Sequence, residues 1–140
     1  MINKLTLQTS DVNLILQASI KEAQDNQWAV SIAVVDDGGH LLAMTRLEGV
    51  PTISVYMCQE KARSSALGRR ESRIYEEIIN NGRTSFLSAP QLQGLIEGGV
   101  PIVIEGQVVG AVGVSGVKSQ DDARIAKAGI AALLAIYPPQ

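Results

Sequence analysis

Apolar residues recur along the chain with two different periods, and the switches between them lay out the elements. Val12, Ile15, Leu16, Ile20 and Ala23 are spaced by three and four, which predicts a helix with one apolar stripe over residues 9–26. Thr9 or Ser10 is placed to cap it. Residues 28–36, WAVSIAVVD, are rich in β-branched and aromatic types and predict a strand. Asp37-Gly38-Gly39 tolerates the positive φ of a tight turn, and a second apolar run from His40 to Arg46 follows at once, which makes a β-hairpin. Residues 53–67 contain neither Gly nor Pro and predict a second helix, closed by Gly68. Ala62, Ser64, Ser65 and Ala66 give that helix a thin section, which another backbone or a ligand can approach closely. A third helix over residues 71–80 ends at Asn81-Gly82. Residues 83–99 are mostly loop, with Leu95-Ile96 a short strand. Residues 100–105 and 108–115 flank Gly106-Gln107 as a second hairpin, in which Pro101 must sit at a strand start or on an edge. Ser119 and Asp122 form a capping-box variant at the head of a last helix that runs to about Ile136 and offers Ile130, Leu133, Leu134 and Tyr137 to the core.

Hairpins imply antiparallel pairing, and with four or five strands the economical arrangement is one mixed sheet covered by terminal and central helices. The 140 residues fit a single domain over 1–140. With 46% apolar and 19% charged residues the chain has enough apolar surface to fold. A formal net charge of −2 argues against a general nucleic-acid binder. No apolar run approaches the roughly 20 residues that span a bilayer. The opening MINKLTLQTSDVN lacks the apolar core of a secretory signal, so a cytoplasmic location is expected, with no membrane partner. Cys58 stands alone, which excludes an internal disulfide and a multi-cysteine metal site, and no metal site is expected.

Several residues carry chemistry. His40 is the one histidine, and so the one imidazole the chain can offer to a haem iron, although a partly exposed position at a strand start beside a turn is the simpler explanation of a lone histidine. Asp36 and Asp37 precede the glycine turn, where Asx side chains bond local backbone. Lys61, Ser64 and Ser65 lie on neighbouring positions of one helix face. A lysine beside two hydroxyls can bind an anion or activate a hydroxyl, or it can be a solvated lysine beside serines chosen for size; spacing leaves both open. The glycines of GAVGVSG, residues 110–116, are spaced G-x-x-G-x-x-G, which is not the dinucleotide fingerprint. Ser115-Gly116 ends a strand ahead of the helix at Ser119, whose free N–H groups suit a carboxylate or propionate, although Asp121 and Asp122 also lie there.

The stretches IAVVDDGGHLLAMTRLEG, EKARSSA, SFLSAP and EGGVPIVIEGQVVGAVGVSGVKSQDDARIAKAG, in this order, resemble the GlcG/HbpS family, to which the PduO C-terminal domain also belongs. The resemblance spans residues of about 5 to 135 and implies an α/β (α+β), profilin-like fold: a five-stranded antiparallel sheet flanked by helices on both faces, in oligomers built from dimers. Leu95-Ile96 would be the fifth strand. Some family members bind haem, and others accompany glycolate or diol metabolism. The family stretch K-A-x-T-A matches Lys61-Ala62-Arg63-Ser64-Ser65, and its G-G-H hairpin matches Gly38-Gly39-His40. The haem-ligating histidine of the first helix in PduO-type relatives has no counterpart, because residues 9–26 contain none.

The expectation is therefore an oligomeric, small-ligand-binding protein for haem or a related planar anionic cofactor. Lys61, Ser64, Ser115 and Gly116 would form the pocket, Lys61 or Arg46 would pair with propionates, and His40 would be the axial ligand. One alternative is a small catabolic enzyme, a tautomerase, hydratase or lyase, in which Lys61 orients a carboxylate substrate and Asp36 or His40 moves a proton. Another is a non-catalytic accessory protein of a metabolic operon.

Overall fold

The computed structural model describes residues 1–137. Helix α1 (Thr9–Asp25) is followed by strands β1 (Ser31–Asp36) and β2 (Leu41–Arg46), helices α2 (Ile53–Gly68) and α3 (Ser72–Asn80), a 3-10 turn (Thr84–Ser88), strands β3 (Gly99–Ile104) and β4 (Gln107–Ser115), and helix α4 (Ser119–Leu134). The helix α1 cap is not Thr9 or Ser10 but Gln8, in a reciprocal box with Asp11, whose carboxylate accepts the Gln8 N–H at 2.8 Å. Helix α4 stops at Leu134, short of Ile136, and Tyr137 is exposed, so the core lacks it.

The sheet has four strands in the order β2-β1-β4-β3, all antiparallel. The expected fifth strand at Leu95-Ile96 does not form. Gly94 and Gly98 take positive φ on either side of it. The Ile96 carbonyl is taken at 2.7 Å by the hydroxyl of Ser72 on α3, and Leu95 is buried. Backbone groups spent on a turn and on a helix are not available to a ladder. Pro101 lies in β3, an edge strand, where its missing N–H costs no ladder bond.

Both faces of the sheet are covered, which is why β1 reads as an unbroken apolar run rather than an alternating one. Ile32, Val34, Val112, Val114, Val100 and Ile102 face α1 and α4 and meet Ile15, Ile125 and Leu133 there. Ala33, Val35 and Ala111 point the other way, to Cys58, Ala62 and Ala66 of α2. The second layer is thin. A Cβ on Gly113 would collide with the Cys58 carbonyl, and one on Gly99 with the Lys61 carbonyl. The small residues of α2 thus serve backbone-to-backbone approach, the first of the two uses their size allows.

Candidate functional site

Helix α2 has two working faces. Lys61, Ala62 and Ser65 turn to the sheet, whereas Gln59, Arg63 and Leu67, one helical turn apart, turn to the β1–β2 hairpin.

On the sheet side Lys61 is 3% exposed. Its Nζ donates to the Val114 carbonyl at 3.0 Å and to Asp122 Oδ2 at 3.2 Å. Asp122 is 2% exposed, and its Oδ1 accepts the Val117 N–H at 3.1 Å. Burial pushes the Asp122 carboxyl above its ordinary range, against the opposing pull of the Lys61 charge and the Val117 N–H. Ser64 is fully buried, and its hydroxyl donates back to the Lys61 carbonyl at 3.2 Å. Sequence reasoning placed an anion at the head of α4. The chain's own Asp122 carboxylate takes that place, bonding an N–H group just ahead of the helix. Lys61 does lie beside the strand end that leads to Ser115 and Gly116, as expected, but the space between is filled by Asp122 and Gly98 rather than open. Arg46 is exposed at the far end of β2, six residues or roughly 20 Å of extended chain from His40.

The hairpin side is open. A groove of about 470 Å³ is lined by Val35, Gly38, Gly39, His40, Leu41, Gln59, Arg63, Leu67 and Gln91. Its volume falls in the range of about 300–1,000 Å³ usual for ligand sites. Gly39, with φ +78°, carries no side chain and lets the Arg63 stem pack under the turn. Gln91 Oε1 lies 3.5 Å from the Arg63 guanidinium, and Glu60 lies 4.0 Å from it. Leu41 and Leu67 are exposed apolar walls.

His40 stands at the rim with its side chain 80% exposed. Asp36 holds it. One carboxylate oxygen, Oδ1, accepts the N–H groups of Gly38 and His40 at 2.9 Å each. His40 Nδ1 lies 3.0 Å from Oδ1 and 3.1 Å from Oδ2. Burial pushes the Asp36 carboxyl up, but the hydrogen bonds from His40 and Gly38 outweigh it, and the group titrates below its ordinary range. The turn chemistry expected of Asp36 is present, and the imidazole contact comes in addition. His40 Nε2 has no hydrogen-bond partner among the described residues.

The structure therefore separates the expected site residues. Lys61, Ser64, Ser115 and Gly116 cluster around a closed ion pair, His40 borders a groove, and Arg46 belongs to neither. Arg63, Gln59 and Gln91 were not singled out from sequence. The first two carried a signal, since Gln59, Arg63 and Leu67 recur every fourth residue. Gln91 carried none, because a loop brings it in. Cys58 is buried, with its thiol pushed up to about 12 by burial, and takes no part in either cluster. Among the described residues no group of three or more His, Cys, Asp or Glu is assembled to hold a metal ion, and no helix is long and apolar enough to cross a membrane.

This architecture has close parallels. The chain superposes on HbpS with a TM-score of 0.86 at 24% identity, covering 95% of this chain and 94% of that one. It superposes on PduOC in its haem complex with a TM-score of 0.83 at 21% identity, covering 91% and 95%. At that level of identity both show the shared fold. Protein GlcG of Escherichia coli K12 is 56% identical over 115 residues, 82% of this chain and 85% of GlcG. The family model described as haem degrading protein HbpS-like matches residues 7–131. A family match over nearly all of the described fold, joined to that identity with GlcG, means that the chain belongs to the GlcG/HbpS family.

Proposed function

We propose that this chain binds a small ligand, haem or a related planar anionic cofactor, in the groove beside His40. One observation carries the reading: the groove joins an imidazole nitrogen without a partner and a guanidinium to apolar walls, the donor set that a metal-bearing, carboxylate-edged ring requires. His40 Nε2 would hold the iron, Arg63 would pair with a propionate, and Leu41 and Leu67 would cover the ring edge. Bound haem would supply a redox-active iron. The family description and the haem complex of PduOC support the same ligand class. Lys61, Ser64, Ser115 and Gly116 would act from behind, by fixing α2 against the sheet, and Arg46 would meet the ligand only by way of a partner subunit. Self-association is part of the proposal. The exposed side chains of Leu87 and Ile96, which line a second groove of about 500 Å³ with Met57, Ile79 and Leu95, support it, and light scattering tests it.

Titration of the purified apo-protein with hemin is the test. A saturable Soret band, shifted in His40→Ala and weakened in Arg63→Ala, is the expected result. Absorbance that rises without saturation in the wild type would overturn the reading.

The His40–Asp36 contact beside Arg63 also favours a second reading, a small enzyme that moves a proton on a carboxylate substrate, with His40 as the base and Arg63 as the clamp. Turnover of a small keto- or hydroxy-acid that is lost in both His40→Ala and Arg63→Ala would establish it.

A further inference from the structure

The carboxylate of Asp36 does more than close a turn. Both of its oxygens lie within hydrogen-bond distance of His40 Nδ1, at 3.0 and 3.1 Å. A carboxylate only accepts hydrogen bonds, so the nitrogen facing it must carry a proton. In a neutral imidazole the proton on Nδ1 leaves a lone pair on Nε2. An unrestrained imidazole prefers the opposite tautomer. The carboxylate is itself fixed, because Oδ1 also accepts the backbone N–H groups of Gly38 and His40. Ring, carboxylate and turn thus form one unit at the end of β1.

We propose that Asp36 is a positioning residue: it holds His40 in the Nδ1–H tautomer, so that the Nε2 lone pair is the donor presented at the groove. The assignment rests on the groove being the binding site, but the tautomer it requires is a property of the apo-protein. A carboxylate behind a ligating or proton-accepting histidine raises the basicity of the distal nitrogen and removes rotational freedom from the ring. Asp36, the last residue of β1, would therefore set how well His40 engages a metal or takes a proton, without touching the ligand.

Asp36→Asn separates this role from the turn. The amide oxygen can still accept the Gly38 and His40 N–H groups, so the turn is retained. The amide NH2 then takes the place of Oδ2, 3.1 Å from Nδ1, and a neutral oxygen already shared with two backbone N–H groups is the one acceptor left at 3.0 Å, so the bias toward the Nδ1 proton is weakened and a donor competes for the Nδ1 lone pair. His40 is the one histidine, so long-range proton–nitrogen NMR correlations report it without overlap. At about pH 8.5, well above the ordinary histidine range, the wild type is expected to show the Nδ1–H tautomer and Asp36→Asn a clear shift toward the Nε2–H tautomer, with the remaining amide spectrum unchanged. Hemin binding by Asp36→Asn is expected to fall roughly 10–100-fold, the usual cost of losing such a partner.

An Nε2–H tautomer or an even mixture in the wild type overturns the proposal whether or not hemin binds. The expected tautomers together with a hemin affinity equal in wild type, Asp36→Asn and His40→Ala overturn it too, because His40 would then present nothing. If hemin fails to saturate the wild type, the cofactor reading falls alone. The Asp36 assignment is then decided by the tautomers and by the His40-dependent turnover screen, with loss in Asp36→Asn supporting it and unchanged turnover overturning it.

Discussion

Lys61 and Asp122 face each other inside the protein, 3.2 Å between Nζ and Oδ2, with both side chains almost wholly shielded from water. The pair joins α2, the end of β4 and the first turn of α4. Its Coulomb energy is offset by the desolvation of two charges, so its presence adds little to stability, but removal of one partner strands the other. Lys61→Ala and Asp122→Ala are each expected to lose about 3–5 kcal/mol of unfolding free energy, a large share of the about 5–15 kcal/mol typical of a domain. The double variant Lys61→Met/Asp122→Leu is expected to be more stable than either. Urea denaturation of the three proteins checks this, and strict additivity of the single losses would contradict it.

Gly113 allows α2 to lie against the sheet with its Cys58 carbonyl where a side chain would be. Gly113→Ala is expected to cost about 1–3 kcal/mol through displacement of the helix. Because Gln59, Arg63 and Leu67 ride on that helix, the same variant is expected to weaken ligand binding in the groove. Thermal melts and hemin titration read the two effects separately.

Cys58 is fully buried, and burial pushes its thiol up to about 12. Thiolate is the reactive form, so the native protein is expected to leave a disulfide reagent untouched at about pH 8. Labelling should appear only in denaturant and follow the unfolding curve. Fast labelling under native conditions would contradict the packing of α2.

The lowered Asp36 carboxyl makes stability depend on acid in a definite direction. A group whose folded pKa lies below its unfolded value binds its proton more weakly when folded, so its contribution is present above about pH 3.9 and is lost as pH falls through the lower folded pKa. Asp36→Asn cannot titrate. Denaturation midpoints compared at about pH 6 and pH 3 should therefore fall less in the variant than in the wild type.

Much of the fold was legible in the sequence because periodicity and punctuation agreed. The stripe from Val12 to Ala23 gave α1, and the runs on either side of Asp37-Gly38-Gly39 and of Gly106 gave both hairpins. Leu95-Ile96 misled because two apolar residues suit a buried plug as well as a strand, and the partner that settles the matter, Ser72, lies 24 residues away. The site was less legible for the same reason. Lys61 and Asp122 each had a local explanation, a helix face for one and a helix dipole for the other, and nothing in a linear reading joins residues 61 positions apart. Asp36 and His40 lie four apart, but the turn alone accounts for the aspartate in a linear reading, and its second contact exists only in the folded hairpin.

The distance along the chain between Lys61 and Asp122 also governs the order in which the molecule can be completed. On the ribosome, β1, β2 and α2 emerge while the carboxylate that neutralises Lys61 has not yet been made. The neighbour of β1 on its other side, β4, also follows α2 in the chain, although it precedes Asp122. A nascent chain that stops before Ser119 holds all four strands but has a cation to bury beneath α2 and no counter-charge for it, which opposes the docking of α2 on the sheet. Closure of α2 on the sheet is therefore expected to be completed only when the last helix is released.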